Sequence, residues 1–184
     1  MRVITGSARG RRLSTLPGTD TVRPTSEKVK EAIFSAIQFD IEGRRVLDLF
    51  AGSGQLGIEA LSRGAVSAVF TDISPSSLEV VSKNLSATGL SAQAEVIRSD
   101  YSSFLARSKK TFDIAFLDPP YKSGVLIDAL NKVMPLMSDY GVVFCEHPAD
   151  ADLPDRVSGF KISRIYKFGT VAVTMYKKEV SDNG

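Results

Sequence analysis

Residues 46–57 read Val46-Leu47-Asp48-Leu49-Phe50-Ala51-Gly52-Ser53-Gly54-Gln55-Leu56-Gly57. A short apolar run meets an acidic residue, then a loop with glycines at G-x-G-x-x-G spacing, then an apolar stretch with helical periodicity. Strand, glycine turn and helix in that order form the opening unit of an open parallel sheet. The glycines let the backbone approach a ligand, and the unpaired N–H groups of the following helix face it. The unit is expected to hold a nucleotide-like cofactor.

Working outward, short apolar runs at 45–50, 66–71, 94–98, 112–117 and 141–146 alternate with helical segments. That alternation predicts a doubly wound α/β domain, a mostly parallel sheet with helices on both faces. Ser74-Pro75 suits the start of a helix, with Ser74 capping free amides and Pro75 at the first helical position. Leu78, Val81 and Leu85 supply its buried stripe. Upstream, Pro24 opens another helix, in which Val29, Ile33 and Ile37 recur on one face. Near the end, segments around 160–167 and 170–177 flank a tight turn at Phe168-Gly169 with no room for a helix, so they are expected to pair antiparallel. Five parallel strands and a terminal hairpin make seven, an order that resembles the usual topology of the Rossmann-like class I methyltransferases.

Asp48 discriminates between ligands. A carboxylate four residues before Gly52 repels a pyrophosphate but attracts an ammonium. The loop is therefore expected to take S-adenosyl-L-methionine rather than a dinucleotide, and the chain is too short for an added dehydrogenase domain. Asp72, ending the second strand, is placed for ribose hydroxyls, and Asp100, ending the third, for an adenine amine. Phe50, Ala51, Gly52, Ser53, Gly54, Ile73 and Tyr101 are assigned with them to the cofactor surface. A helix cap or turn residue is the structural alternative for each aspartate.

The fourth apolar run, Ile114-Ala115-Phe116-Leu117, leads into Asp118-Pro119-Pro120-Tyr121. An exocyclic amine on a base is a poor nucleophile because its lone pair is delocalised into the ring. Two acceptors on its N–H groups favour a pyramidal nitrogen aimed at an electrophilic methyl. Asp118 supplies one acceptor, the Pro119 carbonyl the other, Pro120 stiffens the turn, and Tyr121 offers a stacking face worth about 1–3 kcal/mol. The alternative is a rigid turn after a buried strand. The turn and the glycine loop in one chain point to methyl transfer onto a nucleic-acid amino group.

Composition agrees with a globular domain of 184 residues, 43% apolar and 24% charged. Met1-Arg2-Val3-Ile4-Thr5-Gly6 lacks a signal-peptide core and no run is long enough to span a bilayer, so a cytoplasmic location is expected. Cys145 and His147 are the sole cysteine and histidine, too few for a Cys/His zinc site, and no metal is expected. His147 beside Pro148 reads as structural, and Cys145 as a core residue. The net charge is +2, yet residues 1–30 carry +5 and leave −3 for the rest. A basic N-terminal arm, residues 1–24, suits nucleic-acid phosphates through Arg9, Arg11, Arg12 and Arg23, although charge alone fits a solvated terminus equally. The methyltransferase domain is placed at 25–184.

Met1-Arg2-Val3-Ile4, Gly10-Arg11-Arg12-Leu13, Arg23-Pro24-Thr25, the cofactor loop with Glu59-Ala60-Leu61-Ser62-Arg63-Gly64-Ala65, Asn84-Leu85 and Asp118-Pro119-Pro120-Tyr121 together resemble the bacterial small-subunit ribosomal RNA guanine-N2 methyltransferases over nearly the whole chain. Gln55 stands where that family usually has a small residue, and Asp72 where glutamate is more familiar. The resemblance implies methylation of one guanine amine in 16S ribosomal RNA, with the small subunit or its assembly intermediate as partner and Arg23, Pro24 and Thr25 on the substrate side; a monomer is expected separately. A DNA amino-methyltransferase acting on adenine N6 or cytosine N4, and a non-catalytic RNA-binding assembly factor, are the rival readings.

Overall fold

The computed structural model describes residues 1–18, 24–120 and 124–180. Five helices, α1 (Pro24–Ala36), α2 (Gln55–Ser62), α3 (Pro75–Thr88), α4 (Tyr101–Arg107) and α5 (Val125–Val133), alternate with the first five of eight strands. The strands are β1 (Arg45–Asp48), β2 (Ser67–Asp72), β3 (Ala94–Arg98), β4 (Phe112–Leu117), β5 (Met137–Pro148), β6 (Arg156–Val157), β7 (Phe160–Phe168) and β8 (Val171–Lys178). They form one sheet in the order β3-β2-β1-β4-β5-β8-β7-β6. β1 to β5 run parallel, and β8 enters antiparallel against β5.

The α/β architecture and its terminal hairpin are as expected, but the sheet has eight strands, not seven. The extra strand, β6, is two residues long and pairs Arg156 and Val157 with Lys161 and Phe160. Ser158 and Gly159 turn it with φ of 47° and 81°, the paired positive values of a two-residue hairpin loop. Two residues carry no readable periodicity. β5 also starts earlier than its apolar run, because Met137 already pairs with Phe112 before a register shift. α1 stops at Ala36, so Ile37 is buried just beyond the helix rather than within it.

Local chemistry explains the frame. Ser74 caps α3 by accepting from the Ser77 amide, with Pro75 in the first turn, and Gly89 closes the helix at φ 73°. All six residues of β4 are buried because helices cover both faces of the sheet. On one face, Ile33, Phe34, Ile58, Val81 and Leu85 pack on Phe70 and Phe116; on the other, Phe104, Leu105, Leu130 and Val133 pack on Leu47 and Val143.

The N-terminal segment belongs to the first of these layers. Val3, Ala8 and Leu13 are buried in it, and a bridge between Arg2 and Arg12 folds the segment on itself. Each large anchor buried this way is worth about 1.5–3 kcal/mol. The Ile4 and Thr5 amides donate to Glu59 of α2 at 2.9 and 3.0 Å. Ser62, also on α2, accepts from the Ala8 amide and donates to the Thr5 carbonyl.

Candidate active site

The carboxyl ends of the parallel strands open on a cavity of about 720 Å³. Open α/β sheets place ligands there because the loops diverge on either side of the point where strand order reverses, between β1 and β4 in this sheet.

The loop from β1 to α2 forms one wall. Gly52 and Gly54 take positive φ of 57° and 80°, and a Cβ on Gly52 would meet no other residue within 4 Å, so the backbone itself faces the cavity. Asp48 is buried at the end of β1 and accepts from the Gly57 amide at 3.0 Å, satisfying a free donor in the first turn of α2. Burial pushes its carboxyl up to about 7, against the pull of the Gly57 amide, and the neighbouring Asp72 adds to the rise.

Asp72 holds the loop in place. One oxygen accepts from the Gly52 amide at 3.0 Å and the other from the Ser74 amide at 2.9 Å. Ile73 beside it is 68% exposed, an apolar surface offered to the cavity rim. Asp100 caps α4 by accepting from the Ser103 amide at 2.8 Å, and the bonds from Ser103 hold its carboxyl below the ordinary range. The Phe50 and Tyr101 rings tilt against each other at 5.5 Å, and the Tyr101 hydroxyl donates to Asp128 of α5 at 2.7 Å. Two helices thus fix an aromatic wall.

Asp118, Pro119 and Pro120 leave β4 into the same cavity. Asp118 keeps an exposed face toward the open space while protein crowds its other sides. That burial, then the charges of Glu146 and Asp48, raise its carboxyl above the ordinary carboxylate range. The β4–β5 register pairs Leu117 with Cys145, which sets Glu146 alongside Asp118.

Every sequence-predicted cofactor position except Gly54 lines this one cavity, and so do Asp118, Pro119 and Pro120. Tyr121 and Arg23 lie outside the described residues, as do the side chains of Pro24 and Thr25 at the start of α1. Arg9, Arg11 and Arg12 are exposed on the folded arm and line no part of the cavity. His147 is buried behind it, donating from Nδ1 to the Pro148 carbonyl at 2.8 Å, with Nε2 2.7 Å from the Thr174 hydroxyl.

Among the lining residues that the sequence reading did not assign to the site are Glu146 and Leu16. Glu146 had a signal: it is the first charged residue after the apolar run of β5, at the end where the neighbouring strand presents Asp118. Leu16 had none, because only the docked arm brings it to the cavity.

A sheet of this order, with a glycine loop and an Asp-Pro-Pro turn on one cavity, defines a doubly wound methyltransferase domain. A family model described as Conserved hypothetical protein 95 matches residues 1–177. YlbH of Bacillus subtilis (strain 168), an rRNA methyltransferase by name, is 41% identical over 183 residues, covering 97% of this chain and 99% of YlbH. Ribosomal RNA small subunit methyltransferase D of Escherichia coli (strain K12) is 34% identical over 181 residues, covering 97% of this chain and 90% of that protein. Among solved structures, the methyltransferase-named yhhF of Escherichia coli superposes with a TM-score of 0.87 at 34% identity, covering 97% of this chain and 98% of its own. The fold alone is shared, at 24% identity and a TM-score of 0.74, with a Thermus thermophilus 16S rRNA methyltransferase solved with AdoMet and guanosine, over 89% of this chain and 45% of that one. The chain belongs to the Conserved hypothetical protein 95 family and is a methyltransferase, with named rRNA methyltransferases among its relatives. Among the described residues no helix is long and apolar enough to cross a membrane.

Proposed function

We propose that the protein transfers a methyl group from S-adenosyl-L-methionine to the exocyclic N2 amine of a guanine in 16S ribosomal RNA of the small subunit. One observation carries the reading: the loop wall with Asp48 and Asp72 and the turn with Asp118 and Pro119 open on the same cavity. A cofactor and a base held there would meet. The small-subunit rRNA methyltransferase among the relatives supports 16S RNA as the target.

The residues present suit the cofactor. Asp48, buried and acidic, attracts the amino-acid ammonium directly or through water. Each oxygen of Asp72 accepts one backbone amide and retains a lone pair for a ribose hydroxyl. Asp100 accepts from the adenine amine, while Phe50, Ile73 and Tyr101 cover the ring and Ala51, Gly52, Ser53 and Gly54 form the backbone cradle. When bound, S-adenosyl-L-methionine supplies an electrophilic methyl group on a sulfonium.

Asp118 and the Pro119 carbonyl accept from the two N–H groups of the target amine and aim its lone pair. This is positioning and electrostatics rather than strong base catalysis. As the nitrogen gains its methyl, one of its protons becomes acidic and leaves to Asp118 or to water. The raised affinity of Asp118 for a proton suits it to that role. Tyr121 stacks on the base. In residues 1–24, Arg9, Arg11, Arg12 and Arg23 contact phosphates beside Pro24 and Thr25, and residues 25–184 carry the chemistry.

The test is transfer of labelled methyl from S-adenosyl-L-methionine to naked 16S RNA, to small subunits lacking the modification and to duplex DNA, with nucleoside analysis. N2-methylguanosine in a ribosomal substrate is expected. Label confined to DNA, or no label despite measured cofactor binding, overturns the proposal.

A further inference from the structure

Asn84 of α3 is fully buried and every polar atom of its side chain is engaged. Its Oδ1 accepts from the Ser14 amide at 2.7 Å, and its Nδ2 donates to the Ser14 carbonyl at 3.0 Å and to the Ser53 carbonyl at 2.9 Å. The partners fix the amide's orientation, because a flip would set its NH₂ against an N–H and its oxygen against two carbonyls. Ser53 belongs to the glycine loop and lines the cavity. Ser14 belongs to the arm, two residues after Arg12, and Leu16, two residues further on, lines the same cavity.

The arm is continuous between these points. Arg9, Arg11 and Arg12 sit on its exposed turn, while backbone bonds from Val3 to Arg11 and from Leu13 to Met1 close it into a unit. One side chain therefore ties the backbone of the basic unit to the backbone of the cofactor loop, and a second residue of that unit forms part of the cofactor wall. A ligand that settles the loop also settles the arm. A ligand that holds the arm in place restricts Leu16 and the loop in return, since coupling between two sites is reciprocal.

We infer that Asn84 is a positioning residue that couples cofactor occupancy to RNA binding, making the two ligands bind cooperatively. This rests on the proposed cofactor cavity and RNA-contacting arm. An asparagine that merely anchored the arm would affect stability and RNA affinity without changing how much one ligand tightens the other.

The experiment measures dissociation constants for S-adenosylhomocysteine and for transcribed 16S RNA, each alone and with the other saturating, in the full chain and in its Asn84→Ala and Leu16→Ala variants. In the unsubstituted protein each ligand should tighten the other by about fivefold or more, the lower end of ordinary coupling. In Asn84→Ala both ligands should still bind, with the coupling reduced to within about twofold of none. If Asn84→Ala does not fold, Leu16→Ala reads the same linkage from the arm, and its coupling should also shrink. Independent binding in the unsubstituted protein, or full coupling in variants that bind both ligands, overturns the inference while leaving the proposed function standing. Failure to bind S-adenosylhomocysteine overturns both, whereas failure to bind the transcribed RNA overturns the inference alone.

Discussion

The Lys30 ammonium lies 3.1 Å from Glu59 Oε2, and neither side chain exceeds 3% exposure. Glu59 also accepts from Arg63 and from the Ile4 and Thr5 amides, while Lys30 donates to the Arg2 carbonyl at 3.0 Å. Burial lowers the Lys30 pKa, and Glu59 opposes that fall. The pair is therefore the buried joint between α1, α2 and the arm. Removing one partner strands the other without compensation, so Glu59→Ala should cost about 3–5 kcal/mol. Urea denaturation measures this as a lower midpoint.

Gly6 docks against the end of α2 at φ 93°, and a Cβ there would lie 1.8 Å from the Ser62 carbonyl oxygen. Backbone cannot yield as a flexible side chain does. Gly6→Ala should destabilise by more than about 1 kcal/mol and lift the arm from α2. Limited proteolysis of native protein should then cut within residues 1–18, where the unsubstituted chain resists. Equal resistance would show that the arm is held from elsewhere.

Asp118→Asn keeps one acceptor oxygen but replaces the other with a donor and removes the charge. Methyl transfer should fall by roughly 10²-fold or more, on the scale of losing a preorganised polar group. S-adenosylhomocysteine affinity, measured by calorimetry, should change little. A variant with near-normal turnover would remove Asp118 from the mechanism.

The pH dependence of cofactor binding follows from Asp48. Its carboxyl rises from an ordinary 3.8 to about 7 in the folded protein, so folding favours its protonated form. The stability it contributes is present below 3.8 and lost as pH climbs through about 7. A cationic ligand prefers the ionised carboxylate, which gives binding the opposite sign. Affinity for S-adenosyl-L-methionine should therefore rise from pH 5.5 toward about 7, by at most about tenfold per unit, and then level off. Calorimetric titrations across that range should lose the slope in Asp48→Asn. A slope that persisted would assign the proton to another group.

What the sequence made legible was local. The glycine loop, the Ser74-Pro75 cap and the Asp118-Pro119-Pro120 turn each depend on residues a few positions apart, and each stands where adjacent residues predict. What it hid was long-range. Glu146 reaches the cavity through the β4–β5 register, and Leu16 through bonds from Ser14 to Asn84, seventy positions away. The basic arm read as charge alone, yet its placement comes from Val3, Ala8, Leu13 and two amides on a buried glutamate. Eight strands instead of seven is the same lesson at small scale, since β6 exists only where β7 is there to pair with it.

The brevity of β6 has a consequence for the molecule in a crowded mixture. Two residues cover only the first part of β7, so most of that strand borders the sheet. An uncovered border invites strand addition from another chain. Here the border presents exposed Arg164 and Lys167, and its pairing with β8 shifts register between Ile162 and Arg164. Like charges and a broken repeat make a poor template for an identical edge. The hairpin that completes the sheet thus also leaves it an edge ill-suited to strand addition.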